Sequence, residues 1–122
     1  MILADTSIWI DLLRGHNPEM QKQLLNEQIA MHPLIIAELA LDSLHDRQKT
    51  LAELEDMTQV QVARLSEVRQ MIESHSLYSK GIGLTDAHLI ASCHITQSTK
   101  LWTRDTRLRT VAEALGIHVN LP

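Results

Sequence analysis

The chain has 122 residues, with 15 Asp and Glu against 11 Lys and Arg, and 44% of it is hydrophobic without a single Phe. That length supports one domain, residues 1–122, around one core of Leu, Ile, Val, Ala and Met. The lone Cys93 excludes an internal disulfide, and the apolar start meets Asp5 too early for a signal peptide or membrane span, so a cytoplasmic protein is expected. The formal charge of −4 argues against a broad basic surface of the kind that grips nucleic acid. A sum hides clustering, however. With four acids set aside in one pocket, the remaining 11 would balance the 11 Lys and Arg.

In chain order, Ile2-Leu3-Ala4 is an apolar run too short for a helix, and it meets Asp5, Thr6 and Ser7 before an amphipathic segment. This reads as a buried strand ending at Asp5, with Thr6 or Ser7 capping a helix to about Arg14 and Gly15 closing it. Asn17-Pro18-Glu19 starts a second helix ending near Gln28, and Ile29-Ala30-Met31 makes a second strand. Pro33 to Leu41 is almost continuously apolar, which predicts a largely buried helix with the single carboxylate of Glu38 inside it. From Asp42 to Thr58 the pattern is polar and helical, with Leu44, Leu51, Leu54 and Met57 recurring. Val60-Gln61-Val62 is a short strand candidate. Ser66 to about Tyr78 returns to helix, with Val68, Met71, Ile72 and His75 inward.

Lys80 to Asp86 holds the densest turn chemistry, and Thr85 or a neighbour is expected to cap the helix of Asp86, Leu89, Ile90, Cys93 and Ile95. Leu101-Trp102-Thr103 reads as a strand running into Arg104-Asp105. A helix from about Arg107 to Leu115 ends at Gly116, and Ile117-His118-Val119 makes a last strand. Strands alternating with helices predict an α/β domain with a mainly parallel central sheet of about five short strands.

In such a sheet the strand-to-helix junctions gather at one edge. Asp5, Asp86 and Asp105 stand at such junctions or at a helix start, and Glu38 can face the same crevice. Each alone has a bland reading: Asp5 as a cap, Asp86 as a first-turn helix acid, Asp105 as a turn residue. Together, four crowded carboxylates call for hard divalent cations, which take oxygen ligands and suit phosphodiester hydrolysis.

The ordered set Asp5-Thr6-Ser7, Glu38, Gly83-Leu84-Thr85-Asp86-Ala87 with Leu89-Ile90-Ala91, and Leu101-Trp102-Thr103-Arg104-Asp105 resembles a PIN domain of the VapC toxin type. This family is the ribonuclease half of toxin–antitoxin pairs, and the match covers nearly the whole chain. The resemblance implies a PIN-like α/β/α sandwich. It implies a catalytic pocket of Asp5, Glu38, Asp86 and Asp105 holding Mg²⁺ (or Mn²⁺), with Ser7 and Thr103 in support. It also implies an RNA substrate, a homodimer and a VapB-type antitoxin partner.

Arg14, Arg104, Arg107 and Arg109 are candidate RNA-backbone contacts beside that crevice. Seven histidines are too scattered for a zinc motif, and Gly81-Ile82-Gly83 is too short for a dinucleotide fingerprint. Cys93 reads as buried packing, and Trp9 as core or dimer interface. A phosphoacceptor receiver domain is the chief rival, but it expects paired acids after the first strand and a lysine after the last, and neither is present. A non-catalytic module that has kept only the fold is a second rival, against which all four acids count.

Overall fold

The computed structural model describes residues 1–122. The elements in order are β1 (Ile2–Ala4), α1 (Thr6–Arg14), α2 (Pro18–Leu25), β2 (Ile29–Ala30), α3 (Pro33–Ala40), α4 (Arg47–Glu55), α5 (Leu65–Ser74), α6 (Leu84–Ile95), β3 (Lys100–Trp102) and α7 (Thr106–Ala114). β1 lies between β2 and β3 and pairs in parallel with both, Leu3 opposite Ala30 and Leu101, and Ala4 opposite Trp102. The expected α/β class with a parallel sheet among helices is therefore observed. Parallel strands end at the same side, so the residues following β1 and β3 emerge next to each other.

Three strands form the sheet, where about five were expected. The two others survive as single bridges on its two edges, Met31 with Gln59 and Leu101 with His118. At the first edge Met31 N–H bonds Thr58 O at 2.8 Å and Val60 N–H bonds Met31 O at 2.9 Å. The ladder stops there because the next donor facing Val60 O would come from Pro33, which has no N–H. Gln61 N–H points to the other side and bonds the Thr96 hydroxyl at 2.9 Å.

The polar stretch from Asp42 does not continue α3. Asp42 Oδ1 accepts the Ser43 N–H at 2.9 Å, and Arg47 donates to Ala40 O and Asp42 O, so the chain turns before α4 begins. The start of α4 follows Asp46 in the left-handed region, at φ 46°. α3 is also less buried than its composition implies. Ile35 and Leu39 face the core, while Ala37 and Glu38 are exposed and Leu41, just past the helix, is 89% exposed. Eight residues of helix offer one face to the core, whatever the other faces are made of. His75 likewise ends exposed at the C-terminus of α5, while Val68 and Met71 are buried. No helix is long and apolar enough to cross a membrane.

The core is aliphatic apart from Trp9 and Trp102, with Leu3, Ile8, Met20, Met31, Ile35, Ile90, Leu101 and Leu108 fully buried. His32 is buried among them at 0% exposure and caps α3, its Nδ1 accepting the Leu34 N–H at 3.0 Å. The proton therefore sits on Nε2, which has no partner. Burial, with the neighbouring His88 adding to it, pushes the His32 pKa down to about 4. In the unfolded chain the ring titrates near 6.5, so below that pH the unfolded state takes up a proton the native state refuses. Stability should therefore fall as pH drops from 6.5 towards 4, by about 2–3 kcal/mol from this group alone. Urea unfolding across that range should show a smaller decline in His32→Asn, which retains a capping side chain; equal slopes would remove His32 as the cause.

Candidate active site

β1 delivers Asp5 to the sheet edge with its side chain 6% exposed. The cap of α1 is Asp5 itself, in place of the expected Thr6 or Ser7: its Oδ1 accepts the Ile8 N–H at 3.3 Å and the Ser7 hydroxyl at 2.5 Å. Its Oδ2 accepts the Thr103 hydroxyl, contributed by the segment after β3. Asp5 N–H also bonds Trp102 O at 3.0 Å, which extends the β1–β3 pairing to the carboxylate. Both oxygens are thereby fixed in direction, as a shaped ligand requires.

Asp105 repeats the arrangement on the neighbouring strand. It caps α7, accepting the Leu108 N–H at 3.0 Å, and its own N–H bonds Thr103 Oγ1 at 3.0 Å. Thr103 therefore joins the two acids, donating to one and accepting from the backbone of the other. Asp86 stands in the first turn of α6 and reaches back to Gly83 N–H at 3.1 Å. Gly83 is the N-cap in place of the expected Thr85. Three of the four acids thus sit at helix N-termini, where unpaired N–H groups and the helix dipole favour negative charge.

Glu38 comes from α3 and is exposed, contrary to its expected burial. Its Oε1 accepts the Thr6 hydroxyl at 2.6 Å, which ties it to the turn that carries Asp5. Thr6 was legible only as a capping candidate; its role in holding Glu38 depends on α1 and α3 packing together.

Asp105, Asp5 and Glu38 all lie near enough to Asp86 to act on its charge. Asp86 is half-buried, and its pKa is raised, first by burial and then by Asp105, Asp5 and Glu38, against the lowering effect of the Gly83 N–H. Each of the three neighbours comes from a different element. A half-buried carboxylate whose pKa is raised first by burial and further by three acidic neighbours is a place where a cation would be favoured.

The donors are all hard oxygen: four carboxylates with Ser7 and Thr103 hydroxyls behind them. No three His, Cys, Asp or Glu side chains close around a single point. Such a set fits a hydrated Mg²⁺ or Mn²⁺, which keeps several waters and uses few carboxylates directly, and does not fit a dehydrated cage.

Among the candidate RNA contacts, Arg14 is engaged with Asp42 at 2.7 and 2.8 Å, Arg104 with Asp11, and Arg109 with Glu113 at 3.0 Å. Arg107 makes no ion pair and is exposed. Cys93 is buried, and burial pushes its thiol up to about 12, so it stays a protonated packing group.

The largest cavity, about 720 Å³, lies away from the acids. Trp9, Leu12, Leu24, Leu54 and Met57 line it, with Glu27, Glu53 and Asp56 among the polar groups. Trp9 packs in the core at 3% exposure while its Nε1 lacks a partner.

With this geometry, the comparisons with known proteins agree. Residues 2–114 match the model of the PIN domain family. Ribonuclease VapC32 of Mycobacterium tuberculosis, from two strains, is 36% identical over 117 residues, covering 96% of this chain and 94% of that protein. The chain belongs to the PIN-domain family. Within it, the chain is of the VapC type, as the ordered acidic motifs implied.

Asp86→Asn removes the crowded charge and its cost in the cation-free protein. In excess EDTA its unfolding midpoint should lie at or a few degrees above that of the unsubstituted chain. Its affinity for Mg²⁺ or Mn²⁺, read by calorimetry, should fall by roughly tenfold or more. A less stable variant with unchanged ion affinity would show that Asp86 is only a helix-start residue.

Proposed function

We propose that this protein is a metal-dependent endoribonuclease acting as the toxin of a VapBC-type toxin–antitoxin pair in the cytoplasm. The observation that carries the reading is the set of hydrogen bonds that gathers three of the acids: Thr103 joins Asp5 to Asp105, and Thr6 ties Glu38 to the turn that carries Asp5. The full-length similarity to a protein named Ribonuclease VapC32 supports the same activity.

Asp5, Glu38, Asp86 and Asp105 would hold one or two Mg²⁺ ions, with Mn²⁺ as the alternative. A bound divalent ion supplies an acidified water and charge stabilisation at the phosphate. The residues' own work is positional. Ser7, Thr103 and the Ile8 N–H hold the Asp5 carboxylate still, Thr6 holds Glu38, and Gly83 N–H holds Asp86. Asp5 is the central ligand in this reading, because β1 is the middle strand and its carboxylate is the most buried of the four. The reaction adds water oxygen to phosphorus and breaks one phosphodiester P–O bond.

A VapB-type antitoxin and a second copy of the chain are the proposed partners. The 720 Å³ groove with its acidic residues gives a basic, apolar segment of a protein partner a place to bind. Leu25 and Leu41, 84% and 89% exposed, supply apolar surface for assembly.

Asp5→Asn retains a cap acceptor and the shape of the side chain. Its cleavage of total RNA should fall by roughly a hundredfold or more, with its thermal unfolding still cooperative. Excess EDTA should silence the unsubstituted protein, and added Mg²⁺ or Mn²⁺ should restore it. Cutting by Asp5→Asn at the parental rate, or in EDTA, would defeat the proposal.

A further inference from the structure

Beside the acids lies a second cavity of about 260 Å³, lined chiefly by Ile72, Leu77, Tyr78, Ile82 and Leu84. It is below the usual size of a drug-like ligand pocket and adequate for one heterocyclic ring. Gly83 and Ala87 also border it, and Gly83 donates its N–H to the Asp86 carboxylate at 3.1 Å, so one residue separates the cavity from that acid.

Two features indicate its occupant. Tyr78 is the chain's only tyrosine, and it is 56% exposed although Leu77 beside it is buried at 5%. The loop that carries it turns through three left-handed residues, Ser76, Ser79 and Gly81, at φ 52°, 59° and 77°. Across the same loop lies Arg107: a Cβ at Gly81 would stand 2.6 Å from its Cδ and 3.0 Å from its Nη1. Arg107 is the unpaired member of the four candidate arginines. An exposed aromatic ring at an apolar cavity, with an unpaired guanidinium against Gly81 of the same loop, is the chemistry that holds an unstacked base and its phosphate.

We propose that the Tyr78 cavity receives one nucleobase of a single-stranded RNA next to the scissile bond, while Arg107 holds the adjoining phosphate. The inference rests on the RNA-cleaving reading of the acidic site and adds its substrate-positioning residues. Ring stacking makes the cavity tolerant of base identity, with a preference set by how well each ring fills it. Single-stranded or looped RNA is therefore the substrate form, since a base held in a duplex cannot enter.

The test is direct binding, separated from cleavage. Fluorescein-labelled 12-mer RNAs of adenosine, cytidine or uridine are titrated with the protein in EDTA and followed by anisotropy, with Asp5→Asn as a second non-cutting background. Tyr78→Ala should weaken binding by about fivefold or more, and Tyr78→Phe should stay within about twofold of the parent. Arg107→Ala should weaken all three RNAs similarly and reduce the salt dependence by about one phosphate contact. Equal binding by Tyr78→Ala and the parent, or no RNA binding by the parent, would overturn the proposal. Absence of cleavage by the parent in Mg²⁺, with the Tyr78 effect on binding intact, would instead sink only the nuclease reading.

Discussion

The carboxylate of Asp5 accepts hydrogen bonds from Ser7, Ile8 and Thr103, and through them it fastens the two ends of the chain together. Ser7 and Ile8 lie within the first turn of α1, whereas Thr103 is 98 residues away. The parallel β1–β3 register makes the meeting possible, since Ala4 opposite Trp102 brings Asp5 beside Thr103. The same threonine accepts the Asp105 N–H. One buried acid thus serves as helix cap, strand tie and candidate ligand. A buried carboxylate is tolerable only when its lone pairs are occupied, and here each oxygen has a donor.

The remaining acids are held by a related device. Asp86 and Asp105 take N–H groups at the starts of α6 and α7, and Glu38 takes the Thr6 hydroxyl. Helix N-termini supply partial positive charge where four negative groups must coexist, so the crowding stays bearable before any cation arrives. The residual strain is visible at Asp86, whose pKa is raised. Elsewhere acids and bases neutralise one another: Arg14 with Asp42, Arg104 with Asp11 and Arg109 with Glu113. The net charge of −4 therefore says little about RNA. Arg107 alone of the four candidate arginines stays out of these pairs.

Particular residues show what the sequence disclosed and why the rest was hidden. Ile2-Leu3-Ala4 and Thr106–Ala114 carry local signals, and those elements formed within a residue or two of expectation; the helix begun at Asn17-Pro18 starts as expected and ends at Leu25, short of Gln28. The helix expected from Asp42 begins only at Arg47, because the Asp42 and Arg47 side chains bond the backbone groups of the turn before it. The strand at Val60-Gln61-Val62 shrank to one bridge because the facing segment runs into Pro33, which has no N–H to continue the ladder. Glu38 was expected to be buried from its apolar neighbours, but burial depends on which face of α3 meets the core. The four acids were legible as an ordered set. Thr6 as the holder of Glu38 was not, because that contact belongs to the packing of two helices.

By itself the sequence determined the alternation of short apolar runs with amphipathic segments, the acids at their junctions and the family those motifs belong to. These are local properties, set by periodicity, capping chemistry and side-chain type, and they need no knowledge of neighbours in space. Only the tertiary structure decided that Thr103 would secure Asp5, that Arg107 alone among four arginines would stay unpaired, and that Tyr78 would border a cavity shared with Gly83, the residue that holds Asp86. Such pairings join residues far apart in the chain, and their partners are chosen by strand register and helix packing.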